Sequence, residues 1–216
     1  MMKAVIFDFD GTICDTLSDC ADCYNYVLRR FGFPEREEDV YRRVFGNTLY
    51  EIVRRILPEE ESTEENIAAV ASCYRKTYAS WEKKKSLPFP GVSEALQKLH
   101  DEGLVLAVNS NKPQEILRAM TEEIFPGLFS EVIGFSPELP GKPDPAGVRL
   151  ILEKHDVAPE NAVYVGDGKS DIDTAENAGL PIVFVTWGQT PSLKDDKRIT
   201  RICDTGETLA DIILSM

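Results

Sequence analysis

Short apolar runs and helical stripes alternate along most of this chain. The runs fall at 3–8, Leu104–Asn109, Glu131–Phe135, Ala162–Gly166 and Pro181–Thr186, each bounded by turn-forming residues. Residues that are apolar at successive positions, not at every second one, suit parallel strands covered on both faces. Between the runs, apolar residues recur at helical spacing. Val92, Ala95, Leu96 and Leu99 form one such stripe, stopped by Gly103, and Gln114–Glu123, Ala146–His155 and Asp171–Ala178 read likewise. Strand alternating with helix predicts an α/β fold with a doubly wound, parallel-sheet (Rossmann-like) core.

The stretch 17–81 breaks this alternation and contains no convincing strand. Leu17, Ala21, Tyr24, Leu28 and Phe31 make one helical stripe, ended by Gly32 and Pro34. Glu37–Val44, Thr48–Leu57 and Thr63–Ser80 are helical in pattern too, and the acidic run Glu59–Glu61 reads as a solvated helix start. The expected organisation is therefore a core of 1–16 and 82–216 interrupted by a helical domain of 17–81, with hinges at Ile13–Thr16 and Lys83–Gly91. No internal repeat or low-complexity segment is present.

Asp8 and Asp10 leave the first strand together, followed by Gly11 and Thr12. Two apart on a strand, they point the same way. Like charges that close repel unless a cation or a shared proton compensates. The pair therefore reads as a metal site, as a nucleophile with an acid/base partner, or as both; an isolated Asp-x-Asp could equally be a solvated loop or a cap. Open α/β sheets place ligands at strand ends of this kind.

Bulk properties narrow the partners. The chain has 216 residues, 43% hydrophobic and 28% charged, with a net charge of −13. That charge argues against nonspecific binding to nucleic acid or to an anionic membrane. An anionic substrate would have to be drawn in by local cations and metal. No run approaches a membrane span, and the N-terminal apolar run is too short for a secretory signal. Five cysteines at irregular spacing, Cys14, Cys20, Cys23, Cys73 and Cys203, fit reduced thiols and a cytoplasmic location. Cys20-x-x-Cys23 lies inside a helical pattern and reads as helix packing, while Cys14 is near enough to the Asp pair to be a reactive thiol. Few exposed-looking apolar runs suggest a monomer or weak homodimer.

Three further segments sit where core strands end or helices begin. Ser110-Asn111-Lys112-Pro113 offers a hydroxyl and backbone N–H groups for an anion, or simply a helix cap. Gly141-Lys142-Pro143-Asp144-Pro145 is a stiffened loop carrying one cation. Gly166-Asp167-Gly168-Lys169-Ser170-Asp171 places two carboxylates four apart across a strand–helix junction, or forms a turn with an N-cap.

In this order and at these spacings, the four segments resemble the haloacid dehalogenase superfamily of aspartyl-nucleophile phosphatases, and the helical stretch resembles that family's cap domain. The resemblance covers essentially the whole chain. It implies that Asp8 is the nucleophile and Asp10 the general acid/base, with Ser110 and Lys142 holding the phosphoryl oxygens. It implies Mg²⁺ held by Asp8, the Asp10 backbone carbonyl and Asp167, with Asp171 ligating through water or orienting that shell; oxygen-only donors suit this ion. Gly11, Thr12 and Asn111 would line the phosphate site. Phe45-Gly46-Asn47-Thr48 resembles the family's substrate-specificity loop, making Arg43, Asn47 and Thr48 candidate readers of the leaving group, although Arg43 could equally be a solvated helix residue.

Within that family, Asp10 speaks against the dehalogenase branch, which is similar but carries an aromatic residue there. The phosphonatase branch needs a cap lysine, and 17–81 contains only Lys76, late in its last helix. The β-phosphoglucomutase branch resembles this chain over 8–16 but carries a histidine where Cys20 stands. Ser110-Asn111-Lys112-Pro113 is similar to the phosphoglycolate phosphatase pattern. The expected function is thus Mg²⁺-dependent hydrolysis of a small phosphorylated metabolite, with a phosphosugar mutase or a pyrophosphatase as alternatives. A non-catalytic binding protein would be expected to have lost one of Asp8, Asp10, Lys142 or Asp167.

Overall fold

The computed structural model describes residues 2–216. The first strand, β1 (Ala4–Phe7), is buried along its whole length. Both connections to the helical stretch are clasped together by a two-residue antiparallel pair, β2 (Cys14–Asp15) with β3 (Leu87–Pro88), which the sequence pattern does not announce. The remaining strands are β4 (Val105–Pro113), β5 (Glu131–Phe135), β6 (Ala162–Gly166), β7 (Ile182–Val185) and β8 (Arg201–Cys203). With β1 they form one six-stranded sheet in the order β5-β4-β1-β6-β7-β8, parallel throughout. The expected doubly wound core is thus present. It gains an edge strand, β8, that is too short and too exposed to be read from apolar runs.

Side chains of β1 divide between the two faces, as a period of two requires. Val5 and Phe7 join the apolar cluster under α5 (Val92–Asp101), α6 (Gln114–Ile124) and the terminal helix, Gly206–Leu214. Ala4 and Ile6 join the cluster under α7 (Ala146–Lys154) and α8 (Lys169–Ala178). The terminal helix, α9, is an element beyond those the sequence pattern predicts. Its Leu209, Ala210 and Ile213 are buried, and it packs along α5.

The stretch 17–81 is helical throughout its regular structure. Its helices are α1 (Leu17–Arg30), α2 (Glu38–Val44), α3 (Leu49–Ile56) and α4 (Glu64–Ala79). Leu17, Ala21, Tyr24 and Leu28 of the expected stripe are buried in α1, whereas Phe31 falls past its end and is 39% exposed. Glu59–Glu61 is a separate 3-10 turn, and α4 starts later, where the Thr63 side chain accepts from the Asn66 N–H. Stacked tyrosines knit the helices, with ring centres 3.7 Å apart for Tyr24 of α1 and Tyr74 of α4 and 5.5 Å for Tyr24 and Tyr41 of α2. The returning chain is pinned to α1 by buried Asp19, whose carboxylate accepts from the Lys85 N–H at 2.9 Å and the Ser86 hydroxyl at 2.8 Å.

Candidate active site

The segments singled out by their sequence converge at the carboxyl ends of β1, β4 and β6, where a parallel sheet leaves strand ends open between its loops. Asp8 directly follows β1 and is buried. Its Oδ1 accepts from the Phe9 N–H at 2.7 Å and pairs with the Lys142 Nζ at 2.8 Å. The same Nζ lies 2.6 Å from Asp171 Oδ1, and all three side chains are almost fully enclosed. The second oxygen of Asp171 accepts from the N–H groups of Asp167 at 3.1 Å and Gly168 at 2.9 Å. Asp171 thus closes the start of α8 and holds Lys142 at the same time.

Asp167 follows β6 and is cradled by two other loops. Its Oδ1 accepts from the Thr12 hydroxyl at 2.8 Å, and its Oδ2 accepts from the Gln189 N–H at 2.7 Å. Gly11 lies against it at φ +87°, and a Cβ there would come within 2.7 Å of the Asp167 carboxylate. A glycine is required here by conformation and by space.

Oxygens of Asp8, Asp167 and Asp171 lie within 4.8 Å of one another. Burial is the main cause that pushes Asp8 up to about 7; Lys142 opposes it, and the charges of Asp171 and Asp10 add to it. Burial, then repulsion from Asp171 and Asp8, pushes Asp167 up to about 8 against the Gln189 and Thr12 hydrogen bonds. Lys142 is held protonated: burial disfavours its charge, but Asp171 and Asp8 outweigh that cost. One ammonium among three enclosed carboxylates leaves surplus negative charge, and the donors are hard oxygens. That set fits a small divalent cation.

The raised carboxyls carry a sign that can be checked. Their folded values lie above the ordinary carboxylate value of 3.8. In chelator, their contribution is therefore favourable at low pH and is lost as pH rises through about 7 to 8. A divalent cation needs the ionised carboxylates, so Mg²⁺ is expected to raise the melting temperature more at about pH 8 than at about pH 6. Thermal melts with EDTA and with Mg²⁺ at both pH values test this; equal increments would contradict it.

Asp10 stands apart from that cluster. Its Oδ1 accepts from the Lys112 Nζ at 2.7 Å and from the Thr16 hydroxyl. Nothing in the Ser110–Pro113 segment distinguishes Lys112 from a solvated lysine, yet it is buried against Asp10. Asp8 and Asp10 lie past the end of β1 and turn to different lysines, so the expected same-side alignment of the two does not hold, and the two-residue offset of Lys112 from Ser110 gives no signal of its own. Burial works against the Lys112 charge, but Asp10 and Cys20 outweigh it and hold the ammonium protonated.

Asp8, Asp10, Ser110, Lys112 and Lys142 face one cavity from the sheet side, and Phe45, Gly46 and Asn47 face it from the loop before α3. An adjoining cleft has Asp167 and Asp171 on one side and the basic side chains of Arg43, Arg55 and Lys169 around it. Lys169 is mostly exposed and pairs with Asp173.

Several expected roles are revised. Strand β4 runs on through Pro113, so neither Ser110 nor Asn111 caps the next helix. Asn111 ties the loops together, its Nδ2 donating to the carbonyls of Gly46 at 2.9 Å and Lys142 at 3.2 Å. The Gly11 N–H donates to the Cys14 carbonyl inside its own turn, and the Thr12 hydroxyl donates to Asp167. Cys14 and Cys20 are buried, and burial pushes both thiols up, the reverse of what a reactive thiol needs. Asn47 does line the cavity, while its Nδ2 donates to the Val44 carbonyl at 2.8 Å.

Thr48 is also reassigned. It caps α3, accepting from the Glu51 N–H while Glu51 reaches back to the Thr48 N–H at 3.0 Å. Thr48→Ala is expected to cost about 1 kcal/mol of stability and to leave KM within about twofold. Urea denaturation and steady-state kinetics on the same preparation check both; a large KM change would return Thr48 to substrate contact.

Comparison with known proteins agrees with this geometry. Residues 5–185 match the model of the haloacid dehalogenase-like hydrolase family. The phosphoglycolate phosphatase of Vibrio cholerae is 32% identical over 193 residues, covering 87% of this chain and 85% of that protein. The phosphoglycolate phosphatase of Pseudomonas putida is 29% identical, covering 97% and 84%. Among solved structures, a protein from Lactobacillus delbrueckii subsp. bulgaricus, provisionally assigned as a phosphoglycolate phosphatase, superposes with a TM-score of 0.89 at 31% identity and 98% coverage of both chains. The chain belongs to the haloacid dehalogenase-like hydrolase family, among its phosphatase-type enzymes.

Proposed function

We propose that this enzyme hydrolyses a small phosphomonoester, with phosphoglycolate the leading candidate, through an aspartyl-phosphate on Asp8. The observation that carries this reading is the Lys142 ammonium held between Asp8 and Asp171, with Asp167 behind it and Asp10 facing the same cavity. An Asp8 carboxylate oxygen attacks phosphorus as the ester P–O bond breaks. Asp10 turns from Lys112 to the substrate, takes up a proton from solvent and gives it to the departing alkoxide. It then takes a proton from the water whose oxygen attacks phosphorus as the Asp8 oxygen–phosphorus bond breaks, which frees inorganic phosphate and restores the Asp8 carboxylate. Ser110 and Lys142 hold the phosphoryl oxygens and offset their charge.

Asp8 and Asp167 would hold Mg²⁺, with the Asp10 carbonyl as a further donor and Asp171 ordering the surroundings. Bound there, the ion would neutralise charge on the phosphoryl oxygens. The helical stretch 17–81 serves as a cap, and 13–16 with 83–91 are its connections. The basic side chains of the adjoining cleft give an anionic substrate a local cationic approach despite the negative net charge. Five free cysteines support a reducing, cytoplasmic setting. Among the described residues, no helix is long and apolar enough to cross a membrane.

Cys20 favours hydrolysis over mutase chemistry. Its thiol donates to the Tyr78 hydroxyl at 3.2 Å and is pushed up by burial, so the position where a mutase would keep its cap acid/base holds a protonated thiol. Phosphate release from a panel of phosphoglycolate, sugar phosphates, nucleoside monophosphates and pyrophosphate, with Mg²⁺ and with EDTA, tests the reading. Metal-dependent release led by phosphoglycolate is the expected result. Conversion of a hexose 1-phosphate to its 6-phosphate without release would replace it by a mutase.

A further inference from the structure

Lys112 presents a problem that the proposed chemistry does not answer. Its ammonium is buried, and among the described residues its one ion-pair partner is Asp10, at 2.7 Å. Its other close neighbours are soft: Cys20 Sγ at 3.9 Å and the ring faces of Tyr78 at 5.2 Å and Phe9 at 5.9 Å. In the phosphatase reading, on which this inference rests, Asp10 must reach the ester oxygen of the substrate. To do so it has to leave Lys112, and breaking a buried pair by removing one partner strands an uncompensated charge.

We propose that Lys112 reads a carboxylate on the leaving group, and that Asp10 holds that carboxylate's place until substrate arrives. A substrate carboxylate takes over the ammonium and releases Asp10 toward the ester oxygen. A leaving group without negative charge offers nothing in exchange, and Asp10 stays on Lys112. Specificity then comes from the penalty on the wrong substrate as much as from contact with the right one.

Inside the cavity this task falls to Lys112, since Arg43, Arg55 and Lys169 line the adjoining cleft. On the helical side the cavity is lined by Tyr24, Leu49, Ile52, Tyr74 and Tyr78, none of them cationic. Lys142, the other ammonium in the cavity, is already shared by Asp8 and Asp171. Distance sets the length of the substrate. The Asp10 carboxylate touches Lys112 in the resting enzyme and must touch the ester oxygen in the working one. Both points therefore lie within one side-chain swing, and the carboxylate has to sit on the carbon that bears the phosphoryl oxygen. The class selected is the short 2-(phosphooxy)carboxylates.

The test is kcat/KM for phosphoglycolate and for its isosteric amide, phosphoglycolamide, in the wild type, Lys112→Met and Lys112→Arg. The wild type is expected to favour the carboxylate by roughly a hundredfold. Lys112→Met should bring the ratio close to unity, chiefly by losing phosphoglycolate turnover, and Lys112→Arg should retain most of the preference. A structural role alone would lower both substrates together and keep the ratio. A wild-type ratio near unity, or a ratio that survives Lys112→Met, overturns the inference while leaving the phosphatase reading in place. If Lys112→Met does not fold, the wild-type and Lys112→Arg ratios decide. Absence of phosphate release from every ester of the wider panel would overturn the phosphatase reading itself, and this inference with it.

Discussion

Asp8→Asn is expected to lower kcat by roughly 10⁴-fold or more while the protein folds as before. The carboxylate is enclosed and is pushed up to about 7, chiefly by burial. An amide there carries no charge to desolvate. Its oxygen can still accept the Phe9 N–H bond of 2.7 Å and the Lys142 contact of 2.8 Å. The fold therefore keeps its contacts while the proposed nucleophile is lost, because an amide is a poor attacking group. It is also a weaker ligand, so the Mg²⁺-dependent rise in melting temperature should shrink. Phosphate release under saturating phosphoglycolate and Mg²⁺ measures the first effect, and thermal melts measure the second. Turnover within tenfold of the wild type would remove Asp8 from the nucleophilic role.

Lys142→Met should be the most damaging single change to stability, at about 3–5 kcal/mol in chelator. The ammonium is almost fully enclosed, and it separates Asp8 from Asp171 at 2.8 and 2.6 Å. Without it, three carboxylates whose oxygens lie within 4.8 Å of one another face each other with no cation. On the proposed mechanism the variant would also lose a donor to the phosphoryl group, worth roughly a further 10²–10³-fold in kcat on the scale of a single preorganised donor. Adding Asp171→Asn should recover part of the stability, because the two residues are in direct contact and their effects are not additive. Urea denaturation of the wild type, both single variants and the double variant in EDTA checks this. A Lys142→Met loss below about 1 kcal/mol would show that the buried charges are balanced by something other than Lys142.

Much of the core was legible because its signals are local. β1 and β6 are uninterrupted apolar runs, and Gly103 and Gly179 mark helix ends with left-handed backbone. Asp8, Asp167 and Lys142 could be singled out because each lies at the end of such a run or in a stiffened loop. What escaped the sequence depends on distant partners. β8 has two exposed residues of three and becomes a strand only by pairing with β7. β2 and β3 are two residues each, separated by the whole helical stretch. Thr12 and Thr48 illustrate the same limit within the site. The hydroxyls of Thr12, beside the Asp pair, and Thr48, in the loop that resembles a specificity loop, read as ligand contacts, but Thr12 donates to Asp167 and Thr48 caps its own helix. Lys112 was the costliest omission. A lysine in a motif reads as a solvated charge, and its burial against Asp10 follows only from β4 continuing past Asn109 into Pro113.

The account stands on a covalent phosphoryl group at Asp8, and that species can be trapped. The enzyme would be mixed with phosphoglycolate and Mg²⁺, quenched within the first turnover and treated with borohydride, which reduces an acyl phosphate to an alcohol. Peptide mass spectrometry then reads the position. Reduction of the side chain at residue 8, dependent on substrate and absent from Asp8→Asn, is the predicted result. Phosphate release with no reduced residue, or with reduction at another carboxylate, would contradict it.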